Sequence, residues 1–113
     1  MPAKPIDHQA AILSAFAHDP DMQDLIVAFV NELPARISRI GRDIERADRQ
    51  AVQRLAHQLK GAAGGYGFHS ITEAAAALEA RAEAVDSPAA VQAAFAELAG
   101  LCRRASAAAP GAS

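Results

Sequence analysis

Apolar residues recur at intervals of three and four along most of this 113-residue chain, which is the spacing of one face of a helix. The pattern predicts a long helix from about Pro20 to Ala47, with Leu25, Ile26, Phe29, Val30, Leu33, Ile37, Ile40 and Ile44 turned inward. Asp19-Pro20 marks its start, an N-cap residue followed by proline at the first helical position. Pro34 lies inside it and predicts a mild bend with one missing hydrogen bond. Asp48 opens a second helix that runs to Gly64 or Gly65, where Gly64-Gly65-Tyr66-Gly67 signals a stop. Ser70 and Glu73 form a capping box ahead of a third helix, Ile71 to about Val85. Ser87-Pro88 restarts the chain into a fourth, Pro88 to about Ala105, with Val91, Phe95, Leu98 and Leu101 inward. A short helix is expected over Asp7 to Ala17, and the small residues from Ser106 to Ser113 are expected to form a disordered tail. Four substantial helices with short connections predict an all-α domain over residues 1–105, an antiparallel four-helix bundle with a short extra N-terminal helix.

Composition sharpens this picture. The chain has four Phe, one Tyr and no Trp, so its core must be built from Leu, Ile, Val and much Ala, the best helix former. The formal net charge is −2 with both signs dispersed, which lacks the basic stripe of a nucleic-acid binder. A single cysteine, Cys102, excludes an internal disulfide and a multi-cysteine metal site, and its neighbours Leu98 and Leu101 suit a buried small hydrophobe. No stretch approaches the ~20 apolar residues of a membrane span. The first residues carry charges and no apolar signal core, so a cytoplasmic location is expected. The four histidines show no Glu-x-x-His or i, i+4 His spacing, so no metal and no cofactor are expected.

The second helix carries the candidate chemistry. With His57 as the zero direction and ~100° per residue, Val52, Leu55, Leu59, Ala62 and Tyr66 fall within about 40° of the opposite side. The solvent stripe then holds Gln50, Gln53, His57, Gly61 and Gly64, flanked by Arg54 and Lys60. An exposed mid-helix glycine costs roughly 1 kcal/mol relative to Ala, so Gly61 needs a reason. The simplest is clearance for a bulky group approaching the imidazole. A free imidazole titrates near ~6.5, is mostly neutral at cytosolic pH and is a good nucleophile. Phosphoryl transfer would use an outward nitrogen, positive charge near the phosphoryl oxygens from Lys60, and the space at Gly61. Arg36, Arg39 and Arg42 are expected to form a solvated face of the long helix, and His69 a surface residue.

The stretch from Leu55 to Gly67, Leu-Ala-His-Gln-Leu-Lys-Gly-Ala-Ala-Gly-Gly-Tyr-Gly, resembles the signature of histidine phosphotransfer (HPt) domains. That signature is a His, an apolar residue two positions on, Lys-Gly at three and four, small residues, and a Gly at ten. These are His57, Leu59, Lys60, Gly61, Ala62, Ala63 and Gly67. The resemblance extends more weakly over about Asp19 to Asp86, through Asp19-Pro20, Glu32-Leu33-Pro34, Ala47-Asp48 and Leu78-Glu79. It implies a four-helix bundle and a phosphoryl shuttle with no ATP site and hence no self-contained enzyme activity. The implied partners are receiver domains of response regulators and hybrid histidine kinases. By position His57 is the phospho-acceptor, Lys60 the stabilising cation and Gly61 the clearance residue, while Gln50, Gln53, Arg54 and Gly64 border a partner-binding surface. Many members carry Gln where this chain has Glu79. A carboxylate there can orient the imidazole, but would also repel a phosphoryl group. No acidic residue follows His57 and no proline ends the motif, which sets the chain apart from the dimerisation domain of a sensor kinase. A monomer is expected. The alternative function is a non-catalytic helical adaptor that binds receivers with His57 inert.

Overall fold

The computed structural model describes residues 10–84 and 87–108. Among these residues the chain forms β1 (Ile12–Leu13), α1 (Gln23–Glu45), α2 (Arg49–Gly65), α3 (His69–Glu83), α4 (Pro88–Arg104) and β2 (Ala105–Ser106). α1 packs on α2 and α4, and α3 packs on α2 and α4, so the four helices close around one core. From α1 that core takes Ile26, Phe29, Leu33 and Ile40. α2 and α3 contribute mainly small residues, including the fully buried Ala56, Ala63 and Ala75 beside Leu59, Ile71 and Leu78. α4 adds Val91, Leu98 and Cys102.

The helix boundaries follow from local hydrogen bonding. Asp19 Oδ1 accepts from Asp21 N at 2.9 Å and Asp19 O from Met22 N at 3.0 Å. Residues 19–22 are therefore a side-chain-stabilised turn, and α1 starts at Gln23 rather than at the expected Pro20. α1 runs unbroken through Pro34. Leu25, expected inward, is 49% exposed, because it lies at the edge of the stripe set by Ile26, Phe29 and Leu33. Asp48 and Ser87 cap as their positions predict, accepting from Ala51 N at 3.1 Å and Ala90 N at 3.2 Å, with Pro88 opening α4.

α1 and α2 end in the same way. Asp48 N donates to Asp43 O and Ala47 N to Ile44 O, and Phe68 N donates to Ala63 O and Gly67 N to Gly64 O. Both are Schellman ends, in which the residue past the cap adopts the left-handed conformation. At α2 that residue is Gly67 with φ 81°, while at α1 it is Ala47 with φ 55°. Gly67 has a second constraint. A Cβ there would meet Ser14 Oγ at 2.7 Å and Ala15 N at 2.9 Å.

That contact explains why the short helix expected over Asp7 to Ala17 is absent from residue 10 onward (residues 7–9 lie outside the described residues). Ser14 Oγ donates to Tyr66 O and accepts from Phe16 N, and Ala15 N donates to Gly67 O at 2.9 Å. The segment therefore satisfies the carbonyls just past the end of α2 rather than its own helix bonds, and Ile12 and Leu13 pair in parallel with Ala105 and Ser106. The expected tail is likewise shorter. Ser106 belongs to β2, and Ala107 O accepts from Gln23 Nε2 at 2.9 Å, while residues 109–113 lie outside the described residues. The capping box at Ser70 and Glu73 does not form. The Schellman turn drives Phe68 straight into the core against Phe29, ring centroids 5.6 Å apart, so α3 begins at His69 and Ser70 is already inside it. Tyr66 also reaches the core, with its ring centroid 5.0 Å from that of Phe29.

Two backbone variants test these ends by urea unfolding. Gly67→Ala should lose about 2 kcal/mol or more, from left-handed strain plus the close contacts. Ala47→Gly should gain about 1 kcal/mol by relieving the same strain in an open turn. Burial pushes the Cys102 thiol up to about 12, so iodoacetamide at pH 8 should label it only after unfolding.

Candidate functional site

The site is built on α2 and completed by one residue of α3. The buried positions of α2 are Ala51, Val52, Ala56, Leu59 and Ala63, with Leu55 and Ala62 only half-buried. The inward stripe is therefore turned by about 35° from the one expected with His57 diametrically outward. Alanine at 56 and 63 permits this turn, since α3 can approach where no large side chain stands. His57 remains open, with 65% of its side chain exposed, but Lys60 is carried into the groove beside α3, where 33% remains exposed.

Glu79 meets both of them from α3. Its Oε2 lies 2.8 Å from His57 Nδ1, and its Oε1 accepts from Lys60 Nζ at 2.7 Å. The Lys60 ammonium, seconded by His57, holds the Glu79 carboxyl below its ordinary value of 4.5 against the opposing effect of burial. Glu79 is thus an ionised, acceptor-only group. In the neutral imidazole the proton must then sit on Nδ1, which leaves the Nε2 lone pair free. The arrangement leaves Nε2, with its free lone pair, as the unengaged nitrogen of a side chain that is 65% exposed.

Residues 24–108 match the family model described as the Hpt domain. The chain belongs to the Hpt domain family. Hpt domains have a phosphotransfer role in two-component phosphorelays, where they work with response-regulator receiver domains. No curated protein and no solved structure matches the chain at a significant level.

The remaining expected site residues of this Hpt domain divide into two groups. Gln50, Gln53 and Arg54 line an open concavity with His57 and Glu79. A Cβ at Gly61 would meet nothing within 4 Å, so the glycine keeps a clear surface beyond the ring. Gly64 does not share that surface. The turn of the helix faces it toward Thr72, whose Oγ1 would lie 3.5 Å from an added Cβ. Reading Glu79 from the sequence reached its bond to the imidazole but missed the bond to Lys60. The linear signal for that pair, a Lys and a Glu nineteen positions apart on different helices, is indistinguishable from chance until the helices are packed. Arg39 and Arg42 are exposed, as expected of a solvated face, whereas Arg36 is half-buried, 3.7 Å from Glu32 with its Nε buried. No helix of the described residues is long and apolar enough to cross a membrane.

Because the Glu79 carboxyl is held low in the folded state, its stabilising contribution is complete above the ordinary carboxyl range and is lost as pH falls through the lowered value. Glu79→Gln should therefore be less stable than wild type at pH 7, and the gap should close on acidification below about 4.5, as read by urea unfolding across pH.

Proposed function

We propose that this Hpt domain is a phosphorelay intermediate that carries a phosphoryl group on His57 between receiver-domain aspartates. The observation that carries the reading is the Glu79 contact, which holds Nδ1 protonated and leaves Nε2 as the exposed nucleophile. The Nε2 lone pair attacks the phosphorus of an aspartyl phosphate. The Nε2–P bond forms as the acyl P–O bond breaks, and the donor carboxylate departs with the electron pair. The Nδ1 proton stays on the ring, where Glu79 continues to accept it, much as a carboxylate holds the imidazole in one tautomer and orientation in hydrolase triads. Transfer onward to a second aspartate is the same step reversed.

Gly61 fits this reading as clearance. A receiver must bring its phosphorylated aspartate in line with Nε2, and an unobstructed turn beside the ring permits that approach. Gln50, Gln53 and Arg54 would border the docked receiver. The chain supplies the acceptor, and the receivers supply the acyl phosphate, so no ATP site of its own is required. The antiparallel order of the bundle, the monomeric state and the cytoplasmic location belong to the same reading.

The test is phosphoryl transfer from a panel of phosphorylated receiver domains to wild type and to His57→Gln. Wild type should gain an acid-labile phosphate and the variant none. A folded wild type that binds receivers yet gains no phosphate from any of them would point to the adaptor function instead. Gly61→Trp should unfold within about 1 kcal/mol of wild type, its site being solvent-exposed, and should lose most transfer from receivers.

A further inference from the structure

The cation that the sequence assigns to the phosphoryl group is already engaged. Lys60 Nζ donates to Glu79 Oε1 at 2.7 Å, and the other oxygen of the same carboxylate holds His57 Nδ1 at 2.8 Å. Only 17% of the Glu79 side chain and 33% of that of Lys60 remain exposed. If Lys60 left to contact a phosphoryl group, it would strip the counter-charge from a carboxylate in direct contact with the reacting ring. Repulsion between that carboxylate and the phosphoryl oxygens would then offset the gain.

A second cation lies on the other side of the ring. Side chains on a helix lean toward its N-terminus, so a residue covers the turn that precedes its own Cα. For His57 that turn contains Gln53 and Arg54, and these residues line one open concavity with His57 and Glu79, whereas Lys60 does not line it. Arg54 is exposed and makes no hydrogen bond or ion pair among the described residues. Residues three apart on a helix are neighbours at about 5–6 Å between Cβ atoms, which is within reach of a guanidinium. Its planar fork also matches phosphoryl oxygens in pairs.

We propose that the two cations divide the work: Arg54 binds the phosphoryl oxygens on His57 Nε2, and Lys60 neutralises Glu79 so that this carboxylate can orient the ring without repelling the phosphoryl group. The inference rests on the phosphotransfer reading above and assigns the charges within it. It also resolves the difficulty that a carboxylate at position 79 poses. Glu79 and Lys60 together carry no net charge, so the incoming group meets Arg54 as the nearest uncompensated charge on the helix face.

The test uses phosphoramidate as a small phosphodonor, which removes receiver docking from the measurement. Phosphohistidine formation is followed by phosphorus NMR on wild type, Arg54→Gln, Arg54→Lys, Lys60→Gln and the double variant Lys60→Gln/Glu79→Gln, each checked for folding by circular dichroism. Arg54→Gln should slow phosphorylation about tenfold, the effect of one charge-assisted hydrogen bond, and Arg54→Lys should recover part of it. Lys60→Gln should also be slow. Adding Glu79→Gln should restore most of its rate, since the amide oxygen can still accept from Nδ1 while the uncompensated charge is gone. Wild-type speed in Arg54→Gln, or a double variant no faster than Lys60→Gln, overturns the division of roles and leaves the relay assignment intact. A wild type that forms no phosphohistidine from either phosphoramidate or phosphorylated receivers overturns both.

Discussion

The close approach of α2 and α3 is the constraint on which the site depends. It is made possible by alanine at 56, 63 and 75, all fully buried, where a larger side chain would hold the helices apart. Once the helices are this close, a carboxylate on α3 can reach across to α2 and bind two of its side chains at once. The contribution of the alanines is thus geometric as well as hydrophobic. They place Glu79 at hydrogen-bonding distance from His57 and Lys60 and turn α2 so that Lys60 enters the groove while His57 stays open.

The bridge joins orientation to electrostatics. A single imidazole on a surface helix would sample both tautomers and several ring rotations. An ionised acceptor on one nitrogen selects the tautomer, and the helix fixes the direction of the other nitrogen. Using a carboxylate for this task brings a negative charge directly beside the imidazole. Lys60 counters that charge from the opposite oxygen. The result is a locally neutral pair beside the imidazole in a chain whose formal net charge is only −2.

The C-terminal end of α2 shows how far local structure is set by a distant segment. Ser14 and Ala15 satisfy the carbonyls of Tyr66 and Gly67, and β1 ties the same segment to the end of α4. Residues 10–17 are rich in helix-forming Ala, yet they form turns and a bridge. Local propensity is a weak preference, and it yields where a chain can complete the hydrogen bonding of a buried helix end.

The sequence by itself determined the features that depend on neighbours along the chain. The four helices, the Asp48 and Ser87 caps, the glycine stop after α2 and the exposure of His57 beside Gly61 follow from spacing and local chemistry within a few residues. The His57-to-Gly67 motif also placed the chain in its family. Tertiary structure decided what depends on residues far apart in sequence. It turned α2 toward α3, faced Gly64 onto Thr72, converted the N-terminal segment from helix to strap, and drew Lys60 into the groove beside α3 and onto Glu79. The physical reason is that helix periodicity fixes angles only relative to the helix's own axis. How that axis is rotated against its neighbours depends on which small residues let another helix come near, and this is settled only when the core packs.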